Sequence, residues 1–479
     1  MKINKEHKTI FIFLFIGLVI RVFFTLFIAQ SYFGRENIYV DGDTSSWAEC
    51  IENLIKTGTY TIQPLCEYCY FVRMPGYSFF IGIFFLITGQ NWETAFPIIG
   101  WVQIFFDVWA IWIIYKIGLL IFSDKKIALI LAFLYATYPF IIVWNPVVYS
   151  ESMSIFFMLA SLFYFLDEKR KYYLIKSGIL ISLGILFRPQ IAIIIPIMIF
   201  YILYKNRQNF KILSKKTLQF IIIISVVYGT WPLRNYINHN KIILTQDIRN
   251  NVMWREDVIS YIQYIYSVKS EWQPQFGQII RNEKVSFPDG VNMSKDDSLK
   301  LVEAIYLSQN CGSGFSRYPG YWKERVNGEN CDKRINELFT ELRNNQIKNN
   351  PVQFYLLVPL QNLKKALFKT TLYDNTSLIR KAASLLFYYR SFLVILGLIG
   401  CILIFKSKTY NNMAITIILL YFIVLYVMLC GGTSIQFRNI EMRYFLPADI
   451  LLLIPASYII HRCSKFIFNW KSRLIFKPK

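Results

Sequence analysis

At 479 residues the chain is long enough for two or three soluble domains, but 55% hydrophobic and 18% aromatic residues exclude that reading. A formal charge of +22 would suit nucleic acid, yet the Lys and Arg sit in short clusters at the ends of apolar runs, where anionic head groups and topology account for them. Nucleic acid is excluded as a partner. An all-α polytopic membrane protein is expected, because each span must satisfy its own backbone hydrogen bonds as a helix.

The N-terminus, Met1 to Lys8 ahead of an apolar run to about Gln30, has the outline of a signal peptide. The run is too long for an h-region and lacks a small-x-small cleavage site, so it reads as a retained first span. Ten spans are expected, roughly over 9–30, 97–121, 127–144, 152–166, 173–187, 190–204, 217–232, 386–405, 413–430 and 444–460. Tyr77 to Thr88 is also apolar, but a dozen residues at about 1.5 Å each fall short of about 30 Å of hydrocarbon. It is expected as a re-entrant or surface helix. With it set aside, six basic clusters share one side: Lys2 to Lys8, Asp124-Lys125-Lys126, Glu168-Lys169-Arg170-Lys171, Lys205 to Lys216, Lys406-Ser407-Lys408 and the tail from Arg462. That side is cytoplasmic by the positive-inside rule.

The expected organisation is an N-terminal transmembrane core, 1–233, with its first outer loop at 31–96. A small extracytoplasmic loop subdomain follows at 234–385, then C-terminal spans and a basic cytoplasmic tail at 386–479. Within the long loop, Phe354 to Tyr373 reads as an amphipathic surface helix with Lys364, Lys365 and Lys369 toward head groups. Cys66 with Cys69 and Cys311 with Cys331 are candidate staples in an oxidising compartment. A single CxxC with one outer histidine, His239, is a poor zinc site.

Between the first span and a short helix lies Asp41-Gly42-Asp43. Ser46 and Glu49 have capping-box spacing, Trp47, Ile51, Leu54 and Ile55 make an apolar stripe, and Gly58 stops the helix. The plain alternative is that both aspartates merely start this helix near the positive end of its dipole. Against it, Ser46 supplies a cap, and Gly42 permits a turn that aims one carboxylate elsewhere. The same outer face carries Arg73-Met74-Pro75-Gly76-Tyr77, Glu151 at a span start, Arg188 in a Phe-Arg-Pro corner, Trp231-Pro232-Leu233-Arg234-Asn235, and Arg438 with Glu441-Met442-Arg443-Tyr444. Each alone is an ordinary snorkelling arginine, cap or belt aromatic; their convergence on one face points to a site. Separately, Arg21 and Asp107 lie at comparable depth and are expected to pair, since either alone costs roughly 2.5–3.5 kcal/mol on insertion scales.

This ordered set resembles the GT-C membrane glycosyltransferases, the group of protein O-mannosyltransferases, lipid A aminoarabinose transferases and bacterial relatives that use polyprenyl-phosphate sugars. The likeness covers residues 1 to about 235 and the last spans, and not the long loop. It implies that an aspartate of the first outer loop is the catalytic base: Asp43 first, from the Asp-x-x-x-aromatic start that ends at Trp47, and Asp41 second. Relatives often carry Asp-Glu where this chain has Asp-Gly-Asp, which leaves that choice open. Glu151 matches a second acidic position, and Arg73, with Arg234, Arg443 and Arg188, stands where the donor phosphate is bound. The implied activity is inverting transfer of a sugar from a polyprenyl-phosphate donor to a lipid, glycan or protein acceptor. Its place is the extracytoplasmic face of the cytoplasmic (inner) membrane, among membrane lipids. Two other readings stay open: a polysaccharide polymerase or ligase using diphosphate-linked oligosaccharides, and a lipid or solute transporter. A transporter would concentrate polar residues at mid-membrane, often in repeated halves. A divalent cation bridging carboxylate and phosphate fits the chemistry, though no His-rich or ordered acidic cage demands one.

Overall fold

The structure, a computed structural model, describes residues 5–64, 66, 69–247, 255–269, 271–287, 294–316, 329–368, 378–407, 412–432 and 441–475. The regular elements among them are all helices. Five are long and apolar enough to cross a membrane, over Lys8–Phe33, Trp92–Phe122, Ser384–Ser407, Asn412–Gly431 and Met442–Phe466. Shorter apolar helices cover Pro75–Ile87, Glu151–Leu166, Tyr173–Phe187 and Pro189–Lys205. The protein is an all-α polytopic membrane protein.

Helix α1 (Lys5–Phe23) runs on through a π turn at Phe24–Ile28 to Phe33. Then come α2 (Thr44–Thr57), α3 (Pro75–Ile87), α4 (Trp92–Phe122), α5 (Lys125–Ala136) and α6 (Pro139–Trp144). The next group is α7 (Glu151–Leu166), α8 (Tyr173–Phe187), α9 (Ile194–Lys205), α10 (Phe210–Val227) and α11 (Thr230–His239). One core runs through these helices and the last three, with Ile114, Leu131, Leu159, Ile185 and Leu451 all fully buried.

Two expected spans are each broken. The stretch 127–144 is split at Thr137-Tyr138, because Pro139 lacks an N–H and forces Tyr138 out of the helical region, to ψ 110°. The stretch 217–232 is displaced: α10 begins at Phe210, capped by the Asn209 side chain, and ends at Val227. The chain then re-enters α11, whose first turn tolerates Pro232.

The long loop folds on a core of its own. Helices α12 (Glu256–Val268), α13 (Gln273–Ile280), α14 (Lys295–Asn310) and α15 (Glu329–Asn349) bury Tyr261, Ile262, Phe315, Ile335 and Phe339 together. Cys311 and Cys331 are disulfide-bonded there, as Cys66 and Cys69 are in the first loop. The expected surface helix appears as a π turn, Gln353–Leu357, followed by α16 (Val358–Phe368). It is docked on protein: Asn362 donates to the carbonyl of Cys430 at 2.8 Å, and Lys365 pairs with Glu271 at 3.3 Å instead of facing head groups. Lys369 and Arg438 lie outside the described residues.

The last helices are α17 (Leu378–Ser407), α18 (Asn412–Gly431) and α19 (Met442–Ile475), and α19 packs against both α17 and α5. Arg21 and Asp107 face each other as expected, Nε to Oδ2 at 2.6 Å, both fully buried. The Tyr135 hydroxyl and Asn145 Nδ2 complete the Asp107 carboxylate at 2.5 and 2.8 Å. A second pair of this kind has no counterpart in the sequence reading: Arg390 on α17 meets Asp449 on α19 at 2.6 Å, with the Tyr426 hydroxyl 2.7 Å from Asp449.

Candidate active site

Helix α2 begins two residues before Ser46. The Thr44 N–H donates to the Asp41 carbonyl at 2.8 Å, and the Thr44 hydroxyl accepts from the Asp41 N–H at 3.0 Å. Ser46 is therefore not the cap; its hydroxyl donates to the Asp43 carbonyl at 2.8 Å and accepts from Arg73 Nε at 2.7 Å. The Asp43 carboxylate makes no capping bond either. Both of its oxygens face cations, Oδ1 at 2.7 Å from Arg73 Nη2 and Oδ2 at 2.7 Å from Arg443 Nη1. Partial burial pushes the Asp43 carboxyl up, but Arg73 and Arg443 outweigh it and hold the group well below the usual carboxylate range.

Glu151 opens α7 beside this pair. Its Oε1 lies 2.7 Å from Arg188 Nη1 and 3.8 Å from Arg443 Nη1, so Arg443 bridges the two carboxylates. Arg443 also pairs with Glu441 at 2.8 Å, at the half-exposed rim. Aromatic rings orient the cations: the Arg73 guanidinium is 4.4 Å from the Trp47 ring, Arg443 is 4.9 Å from Tyr149, and Arg188 is 5.0 Å from Tyr444. The pocket they enclose is about 50 Å³ and also takes in Gln190 and Gln246.

Two features bring these groups together. At Gly76 a Cβ would stand 2.7 Å from the backbone of Leu186, so only glycine lets the start of α3 approach the end of α8. That approach sets Arg73 next to Arg188. Below Glu151, Gln103 Nε2 donates to the carbonyls of Asn145 and Val147 at 2.9 and 2.8 Å, and Ser152 donates to Asn145 Oδ1 at 2.7 Å. Asn145 in turn donates to Asp107, which ties the turn before α7 to the buried Arg21 pair.

Similarity to known proteins bears on the fold that carries this arrangement. Residues 72–231, about a third of the chain, match the family model described as dolichyl-phosphate-mannose-protein mannosyltransferase, a stretch that holds Arg73, Glu151 and Arg188. No protein of curated function matches the sequence. Among solved structures, the apo oligosaccharyltransferase of Archaeoglobus fulgidus is similar at a TM-score of 0.53 and 16% identity, over 100% of this chain and 53% of that one. The same organism's AglB in complex with an inhibitory peptide and a dolichol-phosphate is similar at 0.53 and 15%, over 98% and 52%. The chain has the GT-C fold. It spans about half the length of the archaeal proteins it matches.

Of the residues the sequence singled out, this GT-C bundle gathers Asp43, Glu151, Arg73, Arg188 and Arg443 into one cluster. Asp41 stands beside it, its Oδ1 held by Arg35 at 2.9 Å and by the Gly42 N–H at 2.8 Å. Arg234 lies elsewhere, donating to the carbonyls of Tyr60 at 2.9 Å and Tyr70 at 3.3 Å and lining a separate cavity. Tyr444 stood in the quoted Glu441-Met442-Arg443-Tyr444 motif and Tyr149 two residues before Glu151, both read as belt aromatics, and nothing in the local pattern marks Arg35, Gln190 or Gln246. Among the described residues no three His, Cys, Asp or Glu side chains converge as a metal site. Both oxygens of Asp43 face guanidinium groups, so the residues present do not fit a divalent cation.

Proposed function

We propose that this GT-C protein transfers a sugar from a polyprenyl-phosphate donor to an acceptor hydroxyl or amine at the extracytoplasmic face of the membrane, with inversion. The observation that carries the reading is the three-arginine, two-carboxylate cluster at the end of the bundle, a cationic lining suited to a lipid phosphate. A protein of the same fold has been solved with a dolichol-phosphate. The basic loops at the opposite helix ends support this choice of face.

The donor phosphate takes charge-assisted bonds from Arg73 and Arg443, with Arg188 alongside. As those arginines turn to the phosphate, Asp43 loses the contacts that depress it and regains the basicity of an ordinary carboxylate. It then accepts the acceptor proton while the acceptor atom bonds to the anomeric carbon, and the sugar–phosphate C–O bond breaks with its electrons passing to the phosphate. The arginines offset the charge that gathers there, and one displacement inverts the centre. Glu151 keeps Arg188 in place. Asp41 serves as the alternative base, and the 234–385 loop as the acceptor-selecting part.

The test measures sugar transfer from a polyprenyl-phosphate donor in membranes bearing Asp43→Asn or Asp41→Asn at normal protein levels. Loss of transfer in Asp43→Asn is expected. Full activity in both variants ends the assignment of the base.

A further inference from the structure

Arg234 was expected at the donor phosphate but lines a cavity of about 810 Å³ on the other side of the Arg73-Met74-Pro75 segment. Met74 faces the Asp43 pocket and Pro75 faces this cavity. The Tyr60 hydroxyl fixes the partition by donating to the Met74 carbonyl at 3.1 Å. Arg73 and Pro75 are two Cα steps apart, at most about 7.6 Å, so the two spaces flank the same short segment.

Three properties of the cavity define its ligand. Its wall is aromatic, with Tyr60, Tyr70, Phe79 and Trp231 around Arg234, which suits the C–H face of a sugar ring. The Arg234 guanidinium, 5.3 Å from the Trp231 ring and 5.9 Å from that of Tyr60, is held by backbone carbonyls and the Asn235 side chain. No carboxylate pairs with it among the described residues. Burial lowers its pKa but leaves it a cation at pH 7, and a half-buried cation without a counter-charge calls for an anion from outside. Third, His239 Nε2 is buried with no hydrogen-bond partner among the described residues, and burial, then Arg234 and Lys241, keep the ring neutral. The neutral ring, 4.3 Å from that of Tyr70, adds to the aromatic wall. The outward apolar residues of α11, Leu233, Tyr236 and Ile237, do not line the cavity, whose exposed apolar margin is Phe79 of α3.

We propose that this cavity is the acceptor subsite and that it takes an anionic saccharide, with the acid group on Arg234 and a ring against Trp231 and Tyr60. The assignment rests on the transferase reading above.

Full-length protein in nanodiscs is titrated, by saturation-transfer NMR, with a glucuronic-acid-containing disaccharide, its neutral counterpart and glycerol phosphate. Saturable binding of the acidic disaccharide is expected, at least tenfold weaker in Arg234→Gln and absent in Asn238→Trp, which fills the cavity one helical turn beyond Arg234 while keeping its charge. Asp43→Asn binds it as the wild type does. In transfer assays Arg234→Gln raises KM for an acidic acceptor at least tenfold and leaves KM for the donor unchanged. Equal binding of the neutral disaccharide, wild-type affinity in both cavity variants, competition by glycerol phosphate as strong as by the saccharide, or a change in donor KM alone overturns the proposal. A wild-type protein that binds the acidic disaccharide but transfers no sugar overturns the transferase reading and leaves a saccharide site.

Discussion

Arg73 and Arg443, one on each oxygen of Asp43, set the pH behaviour of the site. An acid whose folded pKa is depressed adds stability above its unfolded pKa, near 3.9, and loses it only as pH falls through the folded value. Free Asp43 therefore stays ionised through the range in which a membrane enzyme is assayed. Arg443→Gln removes one oxygen's partner and, on the proposed function, one phosphate ligand together. Transfer is expected to fall by about 10²–10³-fold, the usual cost of losing one preorganised donor to a developing charge, measured as kcat/KM for the donor. Asp257 in the long loop has the opposite sign. Burial first, then the neighbouring Asp332 charge, push its pKa up to about 6. Between about pH 4 and that value the folded state holds the proton and the unfolded state does not, so stability present at low pH is lost as pH rises through 6. Asp257→Asn is expected to stabilise the loop helices at pH 7.5 by up to about 3 kcal/mol and to flatten this dependence, read as hydrogen-exchange protection of 256–268 against pH.

Helix breaks mark where element-level reading succeeds and fails. Hydropathy located the apolar stretches because each must satisfy its backbone internally, and depth matching was enough to pair Arg21 with Asp107. It did not resolve α5 from α6, since Tyr138-Pro139 interrupts a helix without interrupting its apolar pattern. Nor did capping-box spacing locate the start of α2: Thr44 takes the Asp41 N–H first, and Ser46 is left to position Arg73. Arg234 reads like the other arginines in sequence, and only the turn between α10 and α11 carries it past the Met74 partition. Arg390 and Asp449 were passed over because depth was matched between consecutive spans, as for Arg21 and Asp107, whereas the span α18 lies between α17 and α19 in the chain. The expected signature of that buried pair is strong coupling: Arg390→Ala and Asp449→Ala each cost about 3–5 kcal/mol, and the double variant costs clearly less than their sum, by chemical unfolding in detergent. Strict additivity rules the pair out as an energetic unit.

At the scale of the whole molecule, charge asymmetry predicts an orientation that thiol chemistry checks. Cys463 is the exposed free cysteine among the described residues, while Cys50, Cys401 and Cys430 are buried. It lies at the start of the basic tail, so a membrane-impermeant maleimide is expected to label it only after permeabilisation. Labelling in intact cells reverses the topology and removes the proposed active face. Helix α19 carries both Arg443 and Asp449, six residues apart. Helix α19 follows the other described helices in the chain, so a nascent chain that has not yet reached it lacks both the partner that neutralises Arg390 and the cation that joins Asp43 to Glu151. Synthesis of this one helix supplies an intramembrane counter-charge and a member of the candidate site together.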